Sequence, residues 1–336
     1  MDTNALERTA QDLVAPGKGI LAADESTGTI KKRFDGIGVE STEETRRDYR
    51  EILFTTAGAE KHISGVILFD ETLRQSSSDG TPFPELLAGK GIVPGIKVDK
   101  GAKDLALFPG EKVTEGLDGL RERLAEYAGL GARFAKWRAV ITIGEGIPTV
   151  ACLRANARAL ARYAALCQEA GLVPIVEPEV LMDGGHTIER CEEVTFAALR
   201  SVYHELREHR VHLEGTLLKP NMVVPGKKCP TQATREQIAL ATTRCFSRVV
   251  PAAVPGIVFL SGGMTAEEAT DRLSAMNEQG PHPWELSFSY GRALQAPVLA
   301  AWRGDVSRAD AARAAFLHRA KLNGAARYGK YTSNME

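Results

Sequence analysis

The chain has 336 residues, 43% of them hydrophobic and 25% charged, with 42 Lys and Arg set against 43 Asp and Glu. That balance excludes a global positive field able to gather nucleic acid or an anionic membrane surface, so any functional cation must act locally. The opening MDTNALERTA lacks the basic and apolar halves of a signal peptide, and no apolar run is long enough to span a bilayer, so a soluble, cytoplasmic chain without membrane or nucleic-acid partners is expected.

Eight short apolar runs follow one another along the chain: GILAAD (19–24), GVILF (65–69), GIKV (95–98), RFAKW (133–137), VPIVEP (173–178), GTLLK (215–219), GIVFLS (256–261) and LSFSY (286–290). Their polar ends, Asp24, Asp70, Lys97, Lys136, Glu177, Lys219, Ser261 and Ser289, are 27 to 46 residues apart, room for one strand, one helix and their loops. Between them, Ser41 with Glu44 and Thr265 with Glu268 have capping-box spacing. Residues 189–210 place Cys191, Val194, Ala198, Val202 and Leu206 on one helical face. Apolar strands alternating with amphipathic helices predict a parallel sheet covered by helices, and eight such units predict a closed (β/α)8 TIM barrel of the α/β class. A single domain over 1–336 is expected. Residues 75–91 read as a long loop, and the chain after Asp305 as a helix to about Gly324 followed by a short polar tail, about 325–336. Cys152, Cys167, Cys191, Cys229 and Cys245 are widely spaced without a C-x-x-C pair, which fits reduced structural thiols.

In a barrel the chemistry sits at the C-terminal ends of the strands. One charged residue leaving a strand is usually just returning to solvent, but Asp24, Lys97, Lys136, Glu177, Lys219, Ser261 and Ser289 occupy that rim together. Lys219 closes an apolar strand and is the candidate nucleophile. A lysine with a pKa of about 10.4 is rarely a free amine, so burial and a second ammonium, here Lys136, are expected to tune it; the plain alternative is a salt bridge to Glu177 or Glu214. Glu177 and Glu179 flank Pro178, and two close carboxylates are expected to raise one pKa toward the range of proton transfer; a rim ion pair is the alternative. Asp24 either meets a substrate hydroxyl or caps a helix. FLSGGMT (259–265) and FSYGRAL (288–294) follow the seventh and eighth strands, where backbone N–H groups and a helix start commonly bind phosphate, and Arg292 strengthens that reading over a plain turn. Lys97 with Ser26, Thr29 and Arg33 forms a second candidate anion pocket. Two anion sites with an amine between them suggest a sugar phosphorylated at both ends. HELREH is not a zincin pair, the remaining histidines are scattered, and GKGILA precedes a strand, so neither a metal cluster nor a dinucleotide fingerprint is supported.

The motifs GILAADESTG, GIKVDKG, FAKWR, IVEPE, LLKPNM, FLSGG and FSYGRAL, in this order over nearly the whole chain, resemble those of class I fructose-1,6-bisphosphate aldolases, the metal-independent Schiff-base class. The resemblance implies reversible cleavage of fructose 1,6-bisphosphate to dihydroxyacetone phosphate and glyceraldehyde 3-phosphate, with no cofactor or metal. Lys219 would form the Schiff base and Glu177 would be the general acid and base. Lys136 and Asp24 would assist proton transfer and carbon–carbon cleavage, and Glu179 joins this catalytic group. The C1 phosphate falls to Ser261, Gly262, Gly263, Gly291 and Arg292 with Ser289 nearby, the other phosphate to Lys97, Ser26, Thr29 and Arg33, and Arg138 of FAKWR is counted among the substrate-binding residues. Relatives often carry serine where this chain has Thr29, which keeps the hydroxyl. Long animal members end in a mobile tail with a terminal tyrosine, whereas this chain ends Asn334, Met335, Glu336. A homo-oligomer, often a tetramer, is implied by resemblance. A different lysine-dependent barrel aldolase and a barrel that binds without catalysis are the alternatives.

Overall fold

The computed structural model describes residues 2–336. Eight parallel strands close a barrel, β1 (Gly19–Ala23), β2 (Ile63–Leu68), β3 (Val93–Lys97), β4 (Phe134–Ile141), β5 (Val173–Val180), β6 (Leu217–Leu218), β7 (Gly256–Phe259) and β8 (Glu285–Tyr290), each beside its sequence neighbours, with β8 returning to β1. All eight apolar runs are barrel strands. The strand period of two then sorts each run into two faces. Ile20, Ala22, Ile67, Phe134, Val173, Ile175, Leu217 and Val258 form the inner cluster, while Leu21, Ala135, Trp137, Val176 and Leu218 join the outer one beneath the helices. Continuing the inward parity by two residues reaches Asp24 from Ala22, Lys136 from Phe134, Glu177 from Ile175 and Lys219 from Leu217. The alternation that fills the barrel floor therefore also aims charges into its mouth.

The helix Thr3–Leu13, capped by the Asp2 carboxylate accepting from the Ala5 N–H, closes the floor. Its Leu6, Ala10 and Leu13 belong to the inner cluster with the strand residues. Close approach depends on a glycine within β2: a Cβ on Gly65 would lie 2.6 Å from Leu13 Cδ2. Sequence periodicity alone did not assign this plug.

The predicted helix over 189–210 runs Ile188–Glu208 and buries the five expected residues. Thr265 and Glu268 form a reciprocal capping box at the helix Ala266–Glu278. One residue further on than expected, Thr42 with Thr45, not Ser41 with Glu44, caps the helix Glu43–Thr55, because Thr45 can return a hydroxyl to the Thr42 N–H. The segment 75–91 is not a continuous loop: Phe83–Gly89 is helical, with Pro84 in its first turn where a missing N–H costs nothing. The last helix is Ala309–Ala326. The residues beyond it fold back: Tyr331 is buried and Glu336 accepts from both Arg319 and the Tyr331 hydroxyl. The five cysteines are buried as free thiols. No helix among the described residues is long and apolar enough to cross a membrane.

Leu13 is fully buried in the plug, so Leu13→Ala is expected to destabilise by about 3 kcal/mol, whereas Val306→Ala, at a side chain 78% exposed, is expected to change stability by less than about 0.5 kcal/mol. Urea midpoints for the two variants against the parent check the contrast; equal midpoints would remove the plug from the core.

Candidate functional site

The lysine strand ends abruptly. Leu217 and Leu218 complete its ladder, the Lys219 N–H still donates to the Val176 carbonyl, and Pro220 then has no N–H to offer. Asn221 takes over with its side chain, its Oδ1 accepting from the Val180 N–H at 2.9 Å and its Nδ2 donating to the Thr195 hydroxyl at 3.2 Å. The backbone around Lys219 is thus pinned to β5 on both sides, and the residue is 4% exposed.

Four charged groups meet inside the mouth. Lys136 Nζ lies 2.7 Å from Asp24 Oδ2 and 3.3 Å from Glu177 Oε2, and Lys219 Nζ lies 3.4 Å from Glu177 Oε1. Glu177 Oε2 has ion-pair proximity to Lys136 without hydrogen-bond alignment, and no aligned bond ties Lys219 to Glu177 either. The carboxylate therefore sits between two ammonium groups, loosely held by both. Burial opposes ionisation of Asp24, but Lys136, Lys219 and Lys97 outweigh it and hold this carboxyl well below the usual carboxylate range. Burial likewise opposes ionisation of Lys136, yet Asp24, Glu177 and Asp99 push its pKa up, so it stays an ammonium.

Glu177 corrects an expectation. Its pKa is not raised by Glu179 but lowered: burial works upward, and Lys136, Lys219 and Arg138 together work downward more strongly. Although i and i+2 on a strand share a face, Arg138 stands opposite Glu177 in the β4–β5 register and bonds Glu179 with its Nε. The guanidinium separates the two carboxylates electrostatically. Glu179 and Arg138 form the upper layer of the mouth, over Glu177 and Lys136.

The two glycine loops flank this centre. Gly262 and Gly263 follow β7 with φ of 52° and 89°, a left-handed path that suits glycine and turns the chain into the capped helix. Gly291 is the N-cap of the helix Arg292–Trp302, and the Ser289 hydroxyl, 1% exposed, has no hydrogen-bond partner among the described residues. On the other side, Lys97, 3.6 Å from Asp99, and Ser26 line a cleft of about 590 Å³ with Arg74 and Arg123. Thr29 meets the Ser26 hydroxyl at 3.1 Å without lining that cleft. Arg33 turns elsewhere: it pairs with Glu25, and its Nη2 is 3.8 Å from where a Gly291 Cβ would stand. Sequence reading missed Glu25, which is buried in the ADES stretch and also bound by Arg50 at 2.7 Å and by the Gln295 amide at 2.8 Å. A charged residue next to Asp24 and a buried arginine on the helix Glu43–Thr55 were the available signals. Among the described residues, no group of three or more His, Cys, Asp or Glu side chains is placed to hold a metal ion.

A closed parallel barrel with a buried lysine, a second lysine and two carboxylates converging at the strand ends defines a barrel protein with a lysine-centred mouth. Its relatives are specific. The model of the class-I fructose-bisphosphate aldolase family matches residues 5–336. A probable fructose-bisphosphate aldolase class 1 of Xanthomonas campestris is 60% identical over 98% of this chain and 99% of its own, and fructose-bisphosphate aldolase C of Homo sapiens is 54% identical over 98% and 92%. The structure of the Plasmodium falciparum fructose-bisphosphate aldolase superposes with a TM-score of 0.97 at 53% identity, covering 98% of this chain and 96% of that one. The chain belongs to the class-I fructose-bisphosphate aldolase family.

Because Asp24 and Glu177 have lowered pKa values in the folded protein, they bind fewer protons there than in the unfolded chain. Their contribution is complete above the unfolded carboxylate pKa of about 4 and is lost as pH falls through the lower folded values. Asp24→Asn, which leaves Lys136 one counter-charge short, is expected to destabilise by about 3 kcal/mol at pH 7, with the difference from the parent shrinking steadily below pH ~4. Denaturant midpoints across pH 3 to 7 measure it; a gap that widens on acidification would reverse the assignment.

Proposed function

We propose that the amine of Lys219 carries the family's reaction in this chain. The chain is a carbon–carbon lyase that reversibly cleaves fructose 1,6-bisphosphate to dihydroxyacetone phosphate and glyceraldehyde 3-phosphate through a lysine Schiff base. The observation that carries the assignment of residues is Glu177 held 3.4 Å from Lys219 and 3.3 Å from Lys136 in a buried mouth. Lys219 gives its extra proton to Glu177 and attacks the C2 ketone. Loss of that ammonium removes one of the charges keeping Glu177 acidic, so the carboxyl becomes a better proton carrier at the step that needs one. Glu177 returns the proton to the carbinolamine hydroxyl, which leaves as water.

In the resulting iminium, the C3–C4 bonding electrons move toward nitrogen as the C4 hydroxyl surrenders its proton to the Glu177 carboxylate, which later returns it to C3 of the enamine. Asp24, kept ionised by Lys136, accepts the hydrogen bond of that hydroxyl, and the Lys136 ammonium stabilises the negative charge that grows on its oxygen. Glyceraldehyde 3-phosphate leaves, and the enamine is protonated at C3 and hydrolysed. The loops after β7 and β8 take the C1 phosphate through Ser261, Gly262, Gly263, Gly291 and Arg292, with the unpartnered Ser289 hydroxyl available to it. Lys97 and Ser26 take the far phosphate, with Thr29 bracing Ser26. Arg33 stands between these assignments, nearer Gly291. We also assign the chain one domain, a cytoplasmic location and a homo-oligomeric, tetrameric state by family resemblance; a light-scattering mass equal to a single chain would exclude the last.

Borohydride added with dihydroxyacetone phosphate is expected to place a stable adduct on Lys219, and EDTA to leave cleavage intact. An adduct confined to another lysine in peptide mass spectra would sink the mechanism. Glu177→Gln is expected to leave the adduct on Lys219 but slow its formation, and to lower kcat by about 10²- to 10³-fold, read from trapping time courses and steady-state cleavage assays; an unimpaired kcat would remove Glu177 from proton transfer.

A further inference from the structure

The loop that follows the lysine strand carries a cation absent from the phosphate assignments. A Cβ built on Gly263 would lie 2.7 Å from Lys227 Nζ and 3.5 Å from Arg292 Nη2. Measured from one point, the two nitrogens cannot be further apart than the sum of those distances. Two cations this close repel. Among the described residues neither Lys227 nor Arg292 has a carboxylate within ion-pair distance, although Lys219 and Arg272 each have one. An anion seated between them would relieve the repulsion.

The Lys227 backbone is not free to drift away from this position. The Gly226, Lys227 and Lys228 N–H groups donate in succession to the carbonyls of His186, Met182 and Gly184, at 2.8, 2.9 and 2.8 Å. Gly226 packs so closely that a Cβ there would stand 2.4 Å from the Gly184 carbonyl oxygen. Lys227 itself is exposed, yet its side chain reaches across to the loop after β7. Beside that loop, the Ser289 hydroxyl is buried without a partner, an independent mark of a polar ligand that belongs there.

We propose that Lys227 is a further substrate-binding residue, a cation that joins Arg292 over Gly263 and contacts the phosphate on the ketone half of the sugar. The inference rests on the aldol reading and deepens it: β6 leads into the Schiff-base amine, and the loop leaving β6 supplies a cation for the phosphate carried by the carbon next to the ketone. Lys227 thereby couples the height of the ketone in the mouth to the strand that presents the attacking amine.

The test uses the full chain in the condensation direction. Lys227→Met is expected to raise KM for dihydroxyacetone phosphate about tenfold, the worth of one charge-assisted contact, while KM for glyceraldehyde 3-phosphate and kcat each change by less than about twofold. Lys227→Arg is expected to recover most of the lost affinity, which a packing defect would not allow. An unchanged KM for dihydroxyacetone phosphate, or a parallel rise in both KM values, overturns the proposal while borohydride trapping on Lys219 still upholds the aldol reading. A parent protein that fails to trap at all overturns both.

Discussion

Lys136 ties the barrel mouth together, because it lies between two carboxylates from different strands, the partly buried Asp24 after β1 and the buried Glu177 on β5, and is the largest of the charges that keep both ionised. A single carboxylate at this depth would give up its charge or stay at the surface. With Lys136 between them both stay ionised, and Lys219 enters as the second ammonium against the inner face of Glu177. Each ion is compensated by partners on other strands, so the array exists only when the barrel is closed. Fold and electrostatics are therefore one constraint: opening the β4–β5 ladder would part Lys136 from Glu177 and Arg138 from Glu179.

Of the two carboxylates open to Lys219 at the level of sequence, the structure sets Glu177 beside it, while Glu214 pairs with His212. A lysine salt-bridged to Glu177 and a reactive lysine next to a proton acceptor are the same geometry at different moments. The 3.4 Å separation lacks hydrogen-bond alignment, so the pair must close by a few tenths of an ångström and align before a proton can pass along it. The expectation that two close carboxylates raise one pKa does not hold at Glu177, for a specific reason. Sequence adjacency supplied two carboxylates on one face of β5, but the register of β4 against β5 sets Arg138 beside them, and register is a nonlocal property.

Much of the barrel was legible because its strands obey a local rule. Runs such as FAKW and VPIVEP are apolar on both faces until the residue that enters the mouth, and the period of two carries the inward face from core to chemistry. Features set by packing between distant segments were not legible. The Thr3–Leu13 plug is recognisable only from the glycine and inner side chains it meets on the barrel floor. Arg33 reads as a member of the Lys97 pocket because it follows Ser26 and Thr29, yet Glu25, held by Arg50 and Gln295, draws it toward Gly291. The helix at Phe83–Gly89 was hidden by prolines that break helices in their interiors and start them at their ends.

The two ends of the mouth are built from different materials, and this bears on what each can do. Around Gly262, Gly263 and Gly291 the backbone path is fixed by dihedral angle and capping, with Arg292 reaching over Gly263, so the position that end would offer a phosphate is narrow. Around Lys97 the groups are long side chains lining an open cleft, partly engaged with Asp99 and Asp70. On the proposed assignments, a rigid cradle beside Lys219 would set the distance from phosphate to ketone, and that distance would determine whether the carbonyl carbon meets the amine. The looser end has only to retain the aldehyde half until its bond breaks and then let it go. Tight placement of one half and easy departure of the other follow from that difference in stiffness, with the charge array of Lys136 between them.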